Sequence, residues 1–229
     1  MKKSDIKEIN LENLNIVLCN GKNKWNENCY LVTVDNNSYL IDPGFDCEDI
    51  IDYIKEKSIN VKFVLITHAH HDHIASADEI CKALNIKCYI HKADYRMFMH
   101  APMYSLRFAN RMIKRPDDVI WIENTDFDQF LKYGFKLIST PGHSKGGICV
   151  CYNNVVFTGD TLVKNYVGRT DLPDGNTKEI IESVNSLFKI MEKQHTEFIL
   201  PGHGDIWNVN DATNWWNNNK YCLEEKKSF

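Results

Sequence analysis

Phe63-Val64-Leu65-Ile66-Thr67-His68-Ala69-His70-His71-Asp72-His73 reads as an apolar strand that runs straight into a turn crowded with metal-binding side chains. Residues two apart on an extended backbone point the same way, so His68 and His70 are placed to grip one ion. The chain then turns, and Asp72 and His73 aim two further donors at a second ion about 3.5–4 Å away. Four of the nine histidines fall within six positions, a crowding that is costly unless a cation sits among the rings. Imidazole nitrogen and carboxylate oxygen, without thiolate, suit zinc and also accept iron or manganese.

Three more donors stand directly after expected strands: His143 in Thr140-Pro141-Gly142-His143-Ser144, Asp160 in Phe157-Thr158-Gly159-Asp160-Thr161, and His203 in Leu200-Pro201-Gly202-His203-Gly204. Glycine lets the backbone bend sharply there, and strand ends at one edge of a sheet converge on a shared cleft. His68, His70 and His143 with Asp160 fit one ion; Asp72, His73 and His203 with Asp160 fit the other. The Asp160 carboxylate bridges, and each ion keeps one position for solvent. His71 is expected to point away from its neighbours, His91 to end a strand, where it is the best placed of these four to support a ligand from behind, and His100 and His195 to be ordinary helix or loop residues.

Around these motifs the pattern is strand-rich. Ile16 to Leu18, Cys29 to Val32 and Tyr39 to Ile41 read as antiparallel strands, followed by helices over 46–57 and 75–84 and a strand over 87–90. From His91 to about Asp128 methionines and aromatics mix with arginines, which reads as a helical insert over about 92–128. The second half repeats the arrangement, with strands at 135–139, 148–152, 155–157 and 198–200 and a helix over 177–194. Trp215 and Trp216 are expected to anchor a terminal helix. Two β-rich halves with helices predict a two-sheet sandwich flanked by helices, taken as a single domain spanning 1–229.

Composition narrows the function classes. The chain has 229 residues, 43% of them hydrophobic, enough for a substantial core. Its net charge of −4 gives a nucleic acid no general attraction. No run approaches the roughly 20 apolar residues of a membrane span, and no secretory signal opens the chain, so a cytoplasmic protein is expected. Eight scattered cysteines without CxxC spacing, Cys149 and Cys151 among them, read as reduced core thiols.

The HxHxDH run at 68–73, Asp42-Pro43-Gly44, Pro141-Gly142-His143-Ser144, Thr158-Gly159-Asp160-Thr161, Gly168-Arg169-Thr170-Asp171-Leu172-Pro173 and Pro201-Gly202-His203-Gly204 occur in the order of the metallo-β-lactamase-fold superfamily. Within it the chain resembles the short glyoxalase II-like (hydroxyacylglutathione hydrolase-like) metallohydrolases. The resemblance implies a four-layer αβ/βα sandwich of two mixed β-sheets flanked by helices. It covers most of the chain, although the stretch from Gly168 to Pro173 is shared with iron persulfide dioxygenases. Where the family has a glycine-rich pair after the histidine run, this chain has Ala75-Ser76, still small enough for close packing. Conventional glyoxalase II also binds glutathione with a C-terminal helical extension, which the residues after His203 are too few to supply.

The expected activity is cleavage of a small thioester or ester by a hydroxide bridging two zinc ions, with Asp72 both ligand and proton carrier. The ion held by Asp72, His73 and His203 would bind the developing oxyanion. Arg169 is expected in a buried ion pair with Asp171 or a nearby carboxylate. The chief alternative is a mono-iron oxygenase acting on persulfides through His68, His143 and Asp160; a metal-dependent nuclease and a metal-braced binding module are further ones.

Overall fold

Alternating apolar and polar residues at the start of the chain give four antiparallel strands: β1 (Ser4–Leu11), β2 (Leu14–Gly21), β3 (Asn28–Val34) and β4 (Asn37–Ile41). The computed structural model describes residues 4–11 and 14–225 and divides into two units, Met1–Ile122 and Glu123–Phe229. In the first unit β4 is followed by α1 (Ile50–Glu56), β5 (Val61–Leu65), α2 (Ala77–Leu84), β6 (Lys87–His91), α3 (Tyr95–Ala109) and β7 (Val119–Ile122). The seven strands form one sheet in chain order, with β4 to β7 parallel. Parallel pairing brings the carboxyl ends of β4, β5 and β6 side by side, the edge where open α/β sheets bind ligands. Asp42, Thr67 with the histidine run, and Asp94 all follow those ends.

The sheet and its helices enclose a core that includes Leu31, Leu40, Val64, Ile66, Ile50, Ile54, Ile80 and Phe98. Two helices are shorter than the apolar spacing predicts. The first begins at Ile50 rather than Asp46, because Asp46 adopts φ 61° and Cys47 to Asp49 form a turn. The second begins at Ala77 because Ser76 is its cap residue and is tied elsewhere: its N–H donates to the Pro43 carbonyl (3.0 Å) and its hydroxyl to that of Gly44 (2.5 Å). Strands β1 and β7 were not evident in the sequence. Val119–Ile122 lies inside the stretch read as a helical insert, where four residues after Pro116-Asp117-Asp118 carry too short a pattern to declare themselves.

The second unit carries β8 (Lys136–Ser139), β9 (Ile148–Tyr152), β10 (Val155–Gly159), β13 (Phe198–Pro201) and β14 (Trp207–Asn208) in a five-stranded sheet ordered β14-β13-β10-β9-β8. A small hairpin, β11 (Leu162–Val163) and β12 (Tyr166–Val167), follows β10. The parallel pair β10 and β13 is connected through α4 (Thr177–Lys193), whose Ile180, Val184, Leu187 and Met191 recur at helical spacing and are buried. Against it α5 (Val209–Glu225) buries Trp216, whose Nε1–H donates to Asn185 Oδ1 at 2.9 Å. Cys149 and Cys151 are buried on β9, and the other described cysteines are free thiols too; the Cys222 side chain lies outside the described residues.

Candidate metal centre

In the first unit the histidine run packs its rings tightly. The His68 ring centroid lies 4.7 Å from that of His70 and 4.1 Å from that of His73. His68 and His73 are buried, at 3% and 0% exposure. His68 Nδ1 faces the Thr67 hydroxyl at 3.2 Å, and what holds Thr67 and His73 is Asp42, at φ 50° just past β4. Its Oδ1 accepts the Thr67 N–H (2.7 Å), and its Oδ2 accepts the Thr67 hydroxyl (2.5 Å) and faces His73 Nδ1 at 3.1 Å. A carboxylate only accepts, so Nδ1 of His73 carries its proton and the Nε2 lone pair is left for a metal. Ligand atoms of Asp42, His68 and His73 lie within 4.8 Å of one another. On the other side of the turn the Ala69 N–H donates to Asp94 Oδ2 at 2.9 Å, pinning the backbone between two ligand candidates.

Close backbone approach makes Gly44 necessary here: a Cβ on it would stand 2.3 Å from the Asp72 carbonyl oxygen. His71 turns away into a ring cluster, with Trp25 at 5.5 Å, Phe45 at 5.9 Å and Phe108 at 6.2 Å between centroids. Burial pushes its pKa below the ordinary histidine value, outweighing the upward pull of Asp72, so the ring is neutral near pH 7. His91 caps a short helical turn by accepting the Ala93 N–H at 3.3 Å.

In the second unit three loop tips meet. His143 Nε2 and His203 Nε2 each lie 3.5 Å from Asp160 Oδ2. That separation is long for a hydrogen bond but matches a shared ion: two atoms bound at about 2.0–2.2 Å with tetrahedral angles lie roughly 3.4 Å apart. The His143 Nδ1–H donates to the Arg169 carbonyl at 2.8 Å, which again turns Nε2 toward the metal. Asp160 and His203 follow the parallel neighbours β10 and β13, tied at their ends by Gly202 N–H to Gly159 O at 2.7 Å. Gly168 lets its segment run against both donors, since a Cβ there would meet the Asp160 carbonyl oxygen at 2.3 Å and the His143 ring at 2.6 Å.

Each unit therefore gathers its own share of the expected ligands: His68, His70, Asp72 and His73 in one, His143, Asp160 and His203 in the other. These donors fit a divalent cation: Nδ1 of His68, His73 and His143 is already engaged by the Thr67 hydroxyl, Asp42 and the Arg169 carbonyl, and carboxylates stand beside them. Sequence reasoning missed the supports Asp42, Thr67 and Asp94; each follows a parallel strand end, and what brings them to the run is the pairing of those strands. It also missed Tyr166, half-exposed on β12, whose phenol burial and Asp160 push up in pKa, keeping it a proton donor. One expectation is corrected: Arg169 does pair with Asp171 through two bonds (2.9 and 2.8 Å), but both side chains are 68% exposed, because the segment lies on the surface.

Comparison with known proteins agrees with this picture. The family model for the metallo-beta-lactamase superfamily matches residues 23–203. A probable metallo-hydrolase, YqgX of Bacillus subtilis, is 31% identical over 77% of this chain and 84% of its own length. The hydroxyacylglutathione hydrolase GloC of Haemophilus influenzae is 30% identical over 80% of this chain and 88% of its own. Among solved structures, TTHA1623 in a di-iron-bound form superposes with TM-score 0.74 at 28% identity, over 82% of this chain and 92% of that one. With two mixed sheets, their helices, and histidines and aspartates at the strand ends, this chain belongs to the metallo-beta-lactamase superfamily.

Proposed function

We propose that the chain is a dinuclear metal-dependent hydrolase of small thioesters or esters, in the manner of the glyoxalase II-like enzymes. His68, His70 and His143 would hold one ion and Asp72, His73 and His203 the other, with Asp160 available to both. The observation that carries this reading is that His73 and His143 both have Nδ1 engaged, by Asp42 and by the Arg169 carbonyl, leaving Nε2 for ligation. Two family relatives, one a metallo-hydrolase and one a hydroxyacylglutathione hydrolase, support hydrolysis and the thioester class. Zinc is the expected metal; the di-iron neighbour makes iron the alternative.

Bound metal supplies a water of lowered pKa and an electrophile for the acyl oxygen. The residues of the chain do the rest. Asp160 fixes the spacing of its two histidines, and Asp42 keeps the His73 ring from rotating. Asp72 accepts the proton of the attacking water at its carboxylate and returns it to the departing sulfur. The carbon–oxygen bond forms, the carbon–sulfur bond breaks, and acid and thiol leave. Tyr166, kept protonated by partial burial and the charge of Asp160, would offer a hydrogen bond to a bound acyl group.

Metal analysis of protein purified without added metal, followed by a thioester and ester panel, tests this. Two ions per chain and thioester cleavage are expected. One iron per chain, with oxygen uptake on a persulfide and no thioester cleavage, would establish the dioxygenase instead.

A further inference from the structure

Six of the eight exposed large hydrophobic residues among the described residues lie between Tyr95 and Met112, on and just beyond α3. Apolar surface concentrated in this way marks a binding face. Along α3 the rings of His100, Tyr104 and Phe108 step by four residues and so share one face of the helix. Tyr104 lies 6.2 Å from Phe108 in stacked orientation and 6.3 Å from His100, and Phe108 lies 6.2 Å from His71. The rings thus form a continuous ladder about 12 Å long on the helix, starting beside the histidine run.

The same face is cationic. Arg96 continues the four-residue step, and the Arg107 guanidinium sits 5.7 Å over the Phe108 ring. Both arginines are exposed, and neither lies within ion-pair distance of a carboxylate among the described residues. Arg111, by contrast, is spent on Asp46 in a two-bond pair. In a chain of net charge −4, unpaired arginines among exposed rings favour an anionic, ring-bearing ligand.

We propose that this ladder holds the carrier arm of the substrate, and that the carrier is a phosphate-bearing nucleotide thiol of the coenzyme A type. The assignment rests on the hydrolase reading above, and it names the substrate class of that same centre. Rings stack on a planar base, guanidiniums pair with phosphates, and the Phe108 end of the ladder lies against His71 of the histidine turn, so a carrier held there brings its thiol end to that turn. Glutathione brings neither a ring nor a phosphate.

Acetyl thioesters of coenzyme A, glutathione and the neutral N-acetylcysteamine, assayed on the metal-loaded full chain, decide the matter. The wild type is expected to prefer the coenzyme A thioester over the neutral one at least tenfold in kcat/KM, a preference that shrinks as salt rises. Arg107→Ala with Phe108→Ala should lower kcat/KM at least tenfold for the coenzyme A thioester and under threefold for the neutral one. Phe108→Tyr, which keeps a ring at that position, should keep the preference. Equal rates on all three carriers, a preference for glutathione, or variants that lower all three alike would overturn the proposal. If no thioester is cleaved, the thioester form of the hydrolase reading fails, and titration with free coenzyme A still tests the ladder: binding lost in the double variant keeps it, while no binding, or tighter binding of single-stranded RNA, removes it.

Discussion

Asp42 accounts for more of the centre's geometry than its place in a Pro-Gly turn announces. It satisfies a buried N–H and a buried hydroxyl of Thr67 and sets the proton of His73. Asp42→Ala strands a buried donor, which costs about 1–3 kcal/mol, and frees a ligand ring, which typically costs 10–100-fold in metal affinity. Urea unfolding and chelator competition should show both losses together. Asp160→Ala removes the group between two histidines, and retention of full metal content would refute its bridging role. His71→Ala makes a useful opposite: metal stoichiometry should stay at the wild-type value while Tm falls, because the ring packs among Trp25, Phe45 and Phe108 rather than facing the donors.

At the level of elements, α4 offers a clean test. Asn176 Oδ1 accepts the N–H groups of Lys178 (2.9 Å) and Glu179 (3.2 Å), so Asn176→Ala should cost about 1 kcal/mol in urea unfolding. A neutral result would mean that the cap adds nothing beyond the packing of Ile180 and Val184. The elements that the sequence disclosed are those with a long uniform pattern: α4, the β9–β10 hairpin and the strand before His68. Strand β7 escaped because four residues establish no period, and α1 was overextended because apolar spacing does not reveal the left-handed backbone at Asp46. The ligand candidates were legible because several donors in one turn are rare by chance. Their supports were not, since Asp42 and Asp94 meet Thr67 and Ala69 through strand pairing, which no local pattern encodes.

For the molecule as a whole, the buried thiols set an alkaline limit. Burial pushes Cys149 up to about 12 and Cys151 up to about 11, against an ordinary value of 9.0. An unfolded chain sheds these protons above pH 9 while the folded one keeps them. Stability is therefore fully present below pH 9 and is lost as pH rises toward 11–12, by up to about 1.4 kcal/mol per pH unit for each thiol. Urea midpoints measured from pH 8 to 10.5 should fall accordingly, and less steeply in a Cys149→Ala variant. Neither thiol should react with an alkylating agent at pH 8 before unfolding. Among the described residues no helix is long and apolar enough to cross a membrane.

The larger sheet ends on one side at β1, the outermost strand, which sets Asp5, Lys7 and Glu8 toward water. Charges on a rim strand discourage a second chain from zipping onto its open hydrogen-bonding groups. A protein trimmed to begin at Leu14 would uncover β2, whose inner residues are apolar, and would be prone to sticking to its own kind. Light scattering of such a truncation, set beside the intact chain, would show how far those few outer residues guard solubility rather than chemistry.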